Sequence, residues 1–161
     1  MLSLVFRERT HGSLHLHDEP LHVRAVDAVF EFHFSLIPEA FEKKTLSLSG
    51  TIDIEGIATG ARHRGSVLVH WGKEQRIRYD FRFESDAGVP MRILGQKDFM
   101  VISPVGSLTK LPFLLYEGDD HEIGSGEVEL DLRNGVRRGL WTTVKSLRLS
   151  RTVPAAPGET S

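Results

Sequence analysis

Apolar and polar residues alternate along much of this chain with a period of two. The sharpest case is Arg76-Ile77-Arg78-Tyr79-Asp80-Phe81-Arg82-Phe83-Glu84. Ile77, Tyr79, Phe81 and Phe83 fall on one face, and the charged residues fall on the other. Successive side chains of a strand point to opposite faces, so this segment predicts a strand with one face in an interior and one in water. The pattern recurs. Phe30, Phe32, Phe34 and Leu36 oppose Glu31, His33 and Ser35, while Leu46, Leu48, Ile52 and Ile54 oppose Thr45, Ser47, Ser49 and Asp53. Val128, Leu130 and Leu132 oppose Glu127, Glu129 and Asp131. One wet face per strand favours an antiparallel sheet over a parallel one.

Glycines and turn pairs such as Asp86-Ala87-Gly88, Gly118-Asp119-Asp120 and Asn134-Gly135 punctuate these runs. The spacing predicts strands over 2–6, 13–17, 21–36, 45–54, 65–71, 75–84, 90–97, 99–103, 112–117, 124–132 and 146–152. Many strands, each with one apolar face, need their edges managed, and closing the sheet removes the edges altogether. The expected fold is therefore all-β and antiparallel. It is a lipocalin-like closed or nearly closed barrel of about 8–11 strands, with a two-sheet β-sandwich as the alternative. Val136, Leu140, Trp141, Val144 and Leu147 follow a helical spacing, and a short helix over 136–145 stays open. A single domain is expected over 1–152, followed by a disordered tail over 153–161 that is rich in Pro and small residues.

Composition narrows the classes. With 40% hydrophobic and 26% charged residues, the 161-residue chain is globular rather than disordered. Nine Phe stand against two Tyr and two Trp, so most aromatic mass lacks a polar handle and suits an interior or an apolar ligand. The net charge of -2 supplies no global attraction to nucleic acid or anionic lipid. Strand 76–84 carries basic and aromatic residues on opposite faces, so it is no stacking platform for bases. No apolar run approaches the roughly 18 residues that span a bilayer. The absence of Cys excludes disulfides and thiolate sites. A cytoplasmic location is the default expectation.

Candidate chemistry is sparse. His15 and His17 would share a strand face near Glu19, as at the start of a cupin-type metal site. No His follows Pro104-Val105-Gly106 to complete one, so an exposed strand face is the plainer reading. No Gly-x-Ser-x-Gly elbow is present. Asp119-Asp120-His121-Glu122 lacks the spacing of a calcium loop and reads as a hairpin tip. No metal or cofactor is expected. Lys97 is the most informative polar residue. The alternation Met91, Ile93, Gly95, Lys97 places it on the inner face, where it needs a partner or must reach out at the barrel mouth.

Arg76–Gly88, then Gly95-x-Lys97, then Leu108-Thr109-Lys110-Leu111 leading to Tyr116-Glu117-Gly118, then Ile123-Gly124-Ser125-Gly126, carry a resemblance. The stretch from about residue 10 to residue 150 resembles the accessory β domain found beside some glucose–methanol–choline-type cholesterol oxidases. That family shows an aromatic and basic strand, an Asp-Gly turn, Gly-x-Lys, a Thr-rich turn ending in Leu-Tyr, and a Gly-rich strand. In this chain the Thr-rich run is reduced to Thr109, and the tryptophan and acidic residue expected before it are missing. No Gly-x-Gly-x-x-Gly is present for a flavin. The resemblance implies a domain associated with sterol or lipid metabolism, without oxidase activity.

Together these features lead to a binding module for a small apolar, lipid- or sterol-like molecule. Phe32, Phe34, Tyr79, Phe81 and Phe83 would line its pocket, and Lys97, Thr109 and Tyr116 would orient the ligand head. Two alternatives stand beside it. One is a protein-interaction or regulatory domain with a filled core, acting as a homodimer or on a partner protein. The other is a small pocket enzyme, an isomerase or a hydrolase.

Overall fold

The computed structural model describes residues 3–35, 43–70, 76–98 and 110–130. These form eight strands: β1 (Ser3–Leu16), β2 (Val23–Ser35), β3 (Lys43–Ile54), β4 (Ala58–His70), β5 (Arg76–Glu84), β6 (Pro90–Asp98), β7 (Lys110–Glu117) and β8 (His121–Leu130). Each strand pairs antiparallel with the next, and β8 pairs with β1, so the sheet closes in chain order. The sandwich alternative is thereby excluded. The closing seam runs from Thr10 opposite Leu130 to Leu16 opposite Gly124. Gly12 lies on this seam opposite Val128, and a Cβ there would stand 2.0 Å from the carbonyl oxygen of Glu127. Only a residue without a side chain lets the two backbones approach so closely.

The inner face is the apolar face read from the sequence. Val26, Ala28, Phe30 and Phe32 of β2, Leu46, Leu48, Ile52 and Ile54 of β3, and Tyr79, Phe81 and Phe83 of β5 are all buried in one core. Most charged residues of the described strands point outward, the reverse of a transmembrane barrel. No helix among the described residues is long and apolar enough to cross a membrane.

Three strand expectations are corrected. Segments 2–6 and 13–17 belong to one continuous strand, β1, because the intervening residues keep the alternation through Glu8, Thr10 and Gly12. The strand predicted over 65–71 begins earlier, at Ala58, so Arg62-His63-Arg64 lies inside β4. The long strand predicted over 21–36 starts at Val23, after a turn. The strands at 99–103 and 146–152, the helix at 136–145 and the tail lie outside the described residues.

Short turns close one end of the barrel, linking β1 to β2, β3 to β4, β5 to β6 and β7 to β8. Gly56, Gly88 and Gly118 take left-handed backbone there. Neighbouring turns are tied together. The amide of Asp86 donates to the carbonyl of Ile57 at 2.9 Å, and its carboxylate accepts from the amide and hydroxyl of Thr59, both at 2.9 Å. Arg24 donates to Glu19 at 2.6 Å and to the carbonyl of Glu55 at 2.9 Å. This end is fixed by hydrogen bonds as well as by packing.

Candidate functional site

The polar residues inside the barrel lie in its middle and in the half away from these turns. Among the described residues, the buried polar or charged ones are Thr10, His63 and Lys97. Glu8 is partly buried on the same inner face of β1, two residues from Thr10. Thr10 is satisfied locally, its hydroxyl donating to the carbonyl of Ala28 at 3.2 Å. The other three are less simply explained by folding.

His63 fills a place that one glycine leaves open. Gly50 is its cross-strand partner, and a Cβ on Gly50 would stand 1.8 Å from the carbonyl oxygen of Val29 and 2.8 Å from Nε2 of His63. The bare backbone lets the imidazole turn inward and donate from Nε2 to that carbonyl at 2.9 Å. The ring lies against Phe81, with centroids 4.6 Å apart, and edge-on to Phe30 at 5.4 Å. Nδ1 is buried without a hydrogen-bond partner among the described residues. Burial holds the imidazole pKa below its ordinary value, against the opposing pull of the Val29 carbonyl and Glu31. His63 therefore favours its neutral form inside the fold.

Lys97 and Glu8 reach the interior from β6 and β1. Lys97 is 6% exposed, and its Nζ stands 5.8 Å from the centre of the Tyr79 ring. Burial lowers the lysine pKa, and the charge of Glu8 partly restores it. Burial raises the carboxyl pKa of Glu8, and Lys97 opposes the rise. Burial, and then the charge of Glu8, raises the Tyr79 phenol. Around these groups stand aromatic rings. Tyr79 is 6.0 Å from Phe30 and 6.2 Å from Phe32, and Phe30 is 5.5 Å from Phe81. An acid, a base and a phenol thus share one aromatic interior. Burial disfavours the charged form of both the Glu8 carboxyl and the Lys97 amine, and the opposite charge of the other partly offsets that cost.

The residues expected to form a site divide as follows. Phe32, Tyr79, Phe81, Phe83 and Lys97 all lie on the inner face, as the alternation predicts. Phe83 sits nearer the turn end, opposite Met91. Phe34 belongs to β2 by its backbone, opposite Leu4, and its side chain lies outside what is described. Thr109 is also outside the described residues. Tyr116 departs from the expectation of a shared pocket. A register shift between Leu115 and Tyr116 interrupts the β7–β8 ladder, and Tyr116 stands opposite Arg92 on the outer wall. It is therefore separated from the interior row by the sheet itself.

Glu8 and His63 were missed for the same reason. Each lies in a strand that begins earlier or runs longer than the sequence reading allowed. The alternation Glu8, Thr10, Gly12, Leu14 and the alternation Ala61, His63, Gly65, Val67 were the available signals. Glycines within both runs weakened them.

Outside the barrel, Asp80 and Arg92 form a two-pronged pair at 2.9 and 2.7 Å, and this pairing holds the Asp80 carboxyl below its usual range. His11 contacts Asp27, and His17 pairs with Glu122 at 2.9 Å. No group of three or more His, Asp or Glu among the described residues is arranged to hold a metal. An open depression of about 880 Å³ lies on the outer wall near Arg78, Leu94, Pro112 and Leu114. Another of about 640 Å³ lies at the turn end near His17, Asp86 and Ile123.

The chain is thus an eight-stranded, up-and-down antiparallel β-barrel with an aromatic interior that holds an acid and a base. No family model matches it, and no curated protein does. Among solved structures it is similar to a redesigned β-barrel, mFAP1, bound to DFHBI, with a TM-score of 0.42 and 12% identity over 76% of this chain and 92% of that chain. It is also similar to the redesigned β-barrel mFAP0, bound to DFHBI, with a TM-score of 0.38 and 14% identity over 76% of this chain and 95% of that chain. Likeness of this degree carries no information about function.

Proposed function

We propose that the protein binds a small, largely apolar molecule in the half of the barrel away from the short turns. The observation that carries this reading is the placement of Glu8 and Lys97 on the inner face among Phe30, Phe32 and Tyr79. A barrel gains nothing in stability from such a pair that apolar side chains of similar size would not supply. Ionisable groups with perturbed pKa values inside an apolar enclosure are typical of sites that orient a ligand. The layer of Phe30, His63 and Phe81 is the floor of the site, because these rings pack directly on one another. The resemblance to a domain beside cholesterol oxidases favours a lipid- or sterol-like ligand.

Native mass spectrometry of the purified protein tests the reading. A co-purifying species that is lost on denaturation, or a thermal shift with sterols or fatty acyl compounds that weakens in Lys97→Met, supports it. A bare mass with no shift for any of them overturns it. The second reading, an interaction domain with a filled core, draws on the close ring contacts at the barrel's middle. It predicts no ligand and a partner on the outer wall.

A further inference from the structure

Strands β6 and β7 do not pair along their whole length. Their ladder runs from Met91 opposite Glu117 to Gly95 opposite Phe113. β6 continues to Asp98 and β7 begins at Lys110, so residues 96–98 and 110–112 stand beyond the last pair. Each strand keeps its other neighbour there. Asp98 lies opposite Arg76 of β5, and Pro112 opposite Glu127 of β8. It is the seam between β6 and β7 that stops.

Pro112 supplies the reason. The amide of Gly118 donates to the carbonyl of Pro90 at 2.8 Å. Hydrogen-bonded partners alternate along an antiparallel ladder. In this register the following ones are Arg92 with Tyr116 and Leu94 with Leu114, and Gln96 with Pro112 would come next. The amide at position 112 would donate to the carbonyl of Gln96, and proline has no N–H. The ladder ends where that donor is missing.

Two further features meet at this place. The outer-wall depression of about 880 Å³ is lined by Gly95, Gln96, Pro112 and Phe113, the residues around the end of the ladder. Leu94 and Leu114, opposite each other, line it too and give the outer wall an apolar patch beside the seam. On the inner side the seam is backed by Leu111 of the core. A Cβ on Gly95 would stand 3.1 Å from Cδ1 of Leu111, so this side chain covers the bare backbone of Gly95. A fully laddered wall parts only by breaking backbone hydrogen bonds. Here one of them is already missing, and the remaining cover includes a side chain that can change rotamer. The seam also ends in the half of the barrel away from the short turns.

Resting on the interior site proposed above, we propose that its apolar ligand enters and leaves sideways, through the β6–β7 seam beyond Gly95. The outer depression is its landing place, and Leu111 is the side chain that swings aside.

Stopped-flow fluorescence of the full chain with Nile red, an uncharged dye that brightens in apolar surroundings, tests this. Pro112→Val supplies the missing N–H and keeps an apolar side chain on the outer face. Association and dissociation are both expected to slow by about fivefold, the weight of one added hydrogen bond, with affinity kept within about twofold. Gln96→Cys combined with Pro112→Cys sets a thiol on each side of the seam in a chain that has no cysteine of its own. Oxidation of that double variant is expected to slow both rates by at least about tenfold, and reduction to restore them. If its thiols do not join, Pro112→Val alone decides. Rates that neither Pro112→Val nor the oxidised double variant changes overturn the seam as the route and leave the binding reading standing. No brightening of the dye with the native protein or any variant overturns both.

Discussion

At the turn end the barrel is filled by Leu14, Val26, Ile54, Met91 and Leu115, while its other half sets Glu8, Lys97 and Tyr79 among Phe30 and Phe32. The two halves share the same strands and the same alternation. They differ in what the inward positions carry. The turn half is filled mainly by aliphatic side chains, with Phe83 among them, and hydrogen-bonded turns cross-link it. The other half accepts the cost of buried charge. A core needs no charge to be stable, and the proposed binding site accounts for the charge in that half.

The contrast is open to direct attack. Leu115 is fully buried, and Leu115→Ala is expected to lower stability by about 2–5 kcal/mol in urea unfolding, through lost burial and the cavity left behind. Replacing the polar pair together, Glu8→Gln with Lys97→Met, is expected to be neutral or to raise stability by about 1–4 kcal/mol. A loss as large as that of Leu115→Ala would show that the pair is structural and would erase the distinction.

Between the halves, Gly50→Ala is expected to cost about 1–3 kcal/mol or more, because the new methyl group collides with the Val29 carbonyl and the Nε2 of His63. A near-neutral result in the same unfolding assay would mean that β2 and β3 can spread apart at this layer.

His63 makes the contrast sensitive to pH. Its folded pKa lies below its unfolded value, so the unfolded chain takes up a proton first as the solution is acidified. The stability linked to His63 is fully present above about pH 6.5 and is lost as pH falls through the folded pKa. His63→Leu is expected to flatten that part of the thermal-stability profile against pH. An unchanged slope would assign the acid sensitivity to other groups.

The smallest effect belongs to the outer wall. Asp80→Asn removes the pair with Arg92 and is expected to cost less than about 1 kcal/mol, with a difference that shrinks in high salt. A cost beyond that would give the outer wall a structural weight comparable to the interior.

Much of the architecture was legible in the residues themselves. The alternation over 76–84 and 30–36 identified inward faces, and Lys97 was placed inside by counting twos from Met91. Period-two patterning is local, and a strand has only two faces, so one buried residue fixes the orientation of the rest. The extent of β1 and β4 was not legible. Gly12 and Gly65 read as turns, although both lie where backbones approach closely within a continuous strand.

By itself, then, the sequence determined which residues face inward on most strands, that the sheet is antiparallel, and that an aromatic row and a lysine lie inside. Only the tertiary structure decided that eight strands close on one another, that Tyr116 stands on the outer wall, and that Glu8 and His63 join Lys97 within. The reason is physical. Alternation is dictated residue by residue, whereas closure, register shifts and the presence of a β1 carboxyl and a β6 amine in one interior depend on how segments far apart in the chain come together.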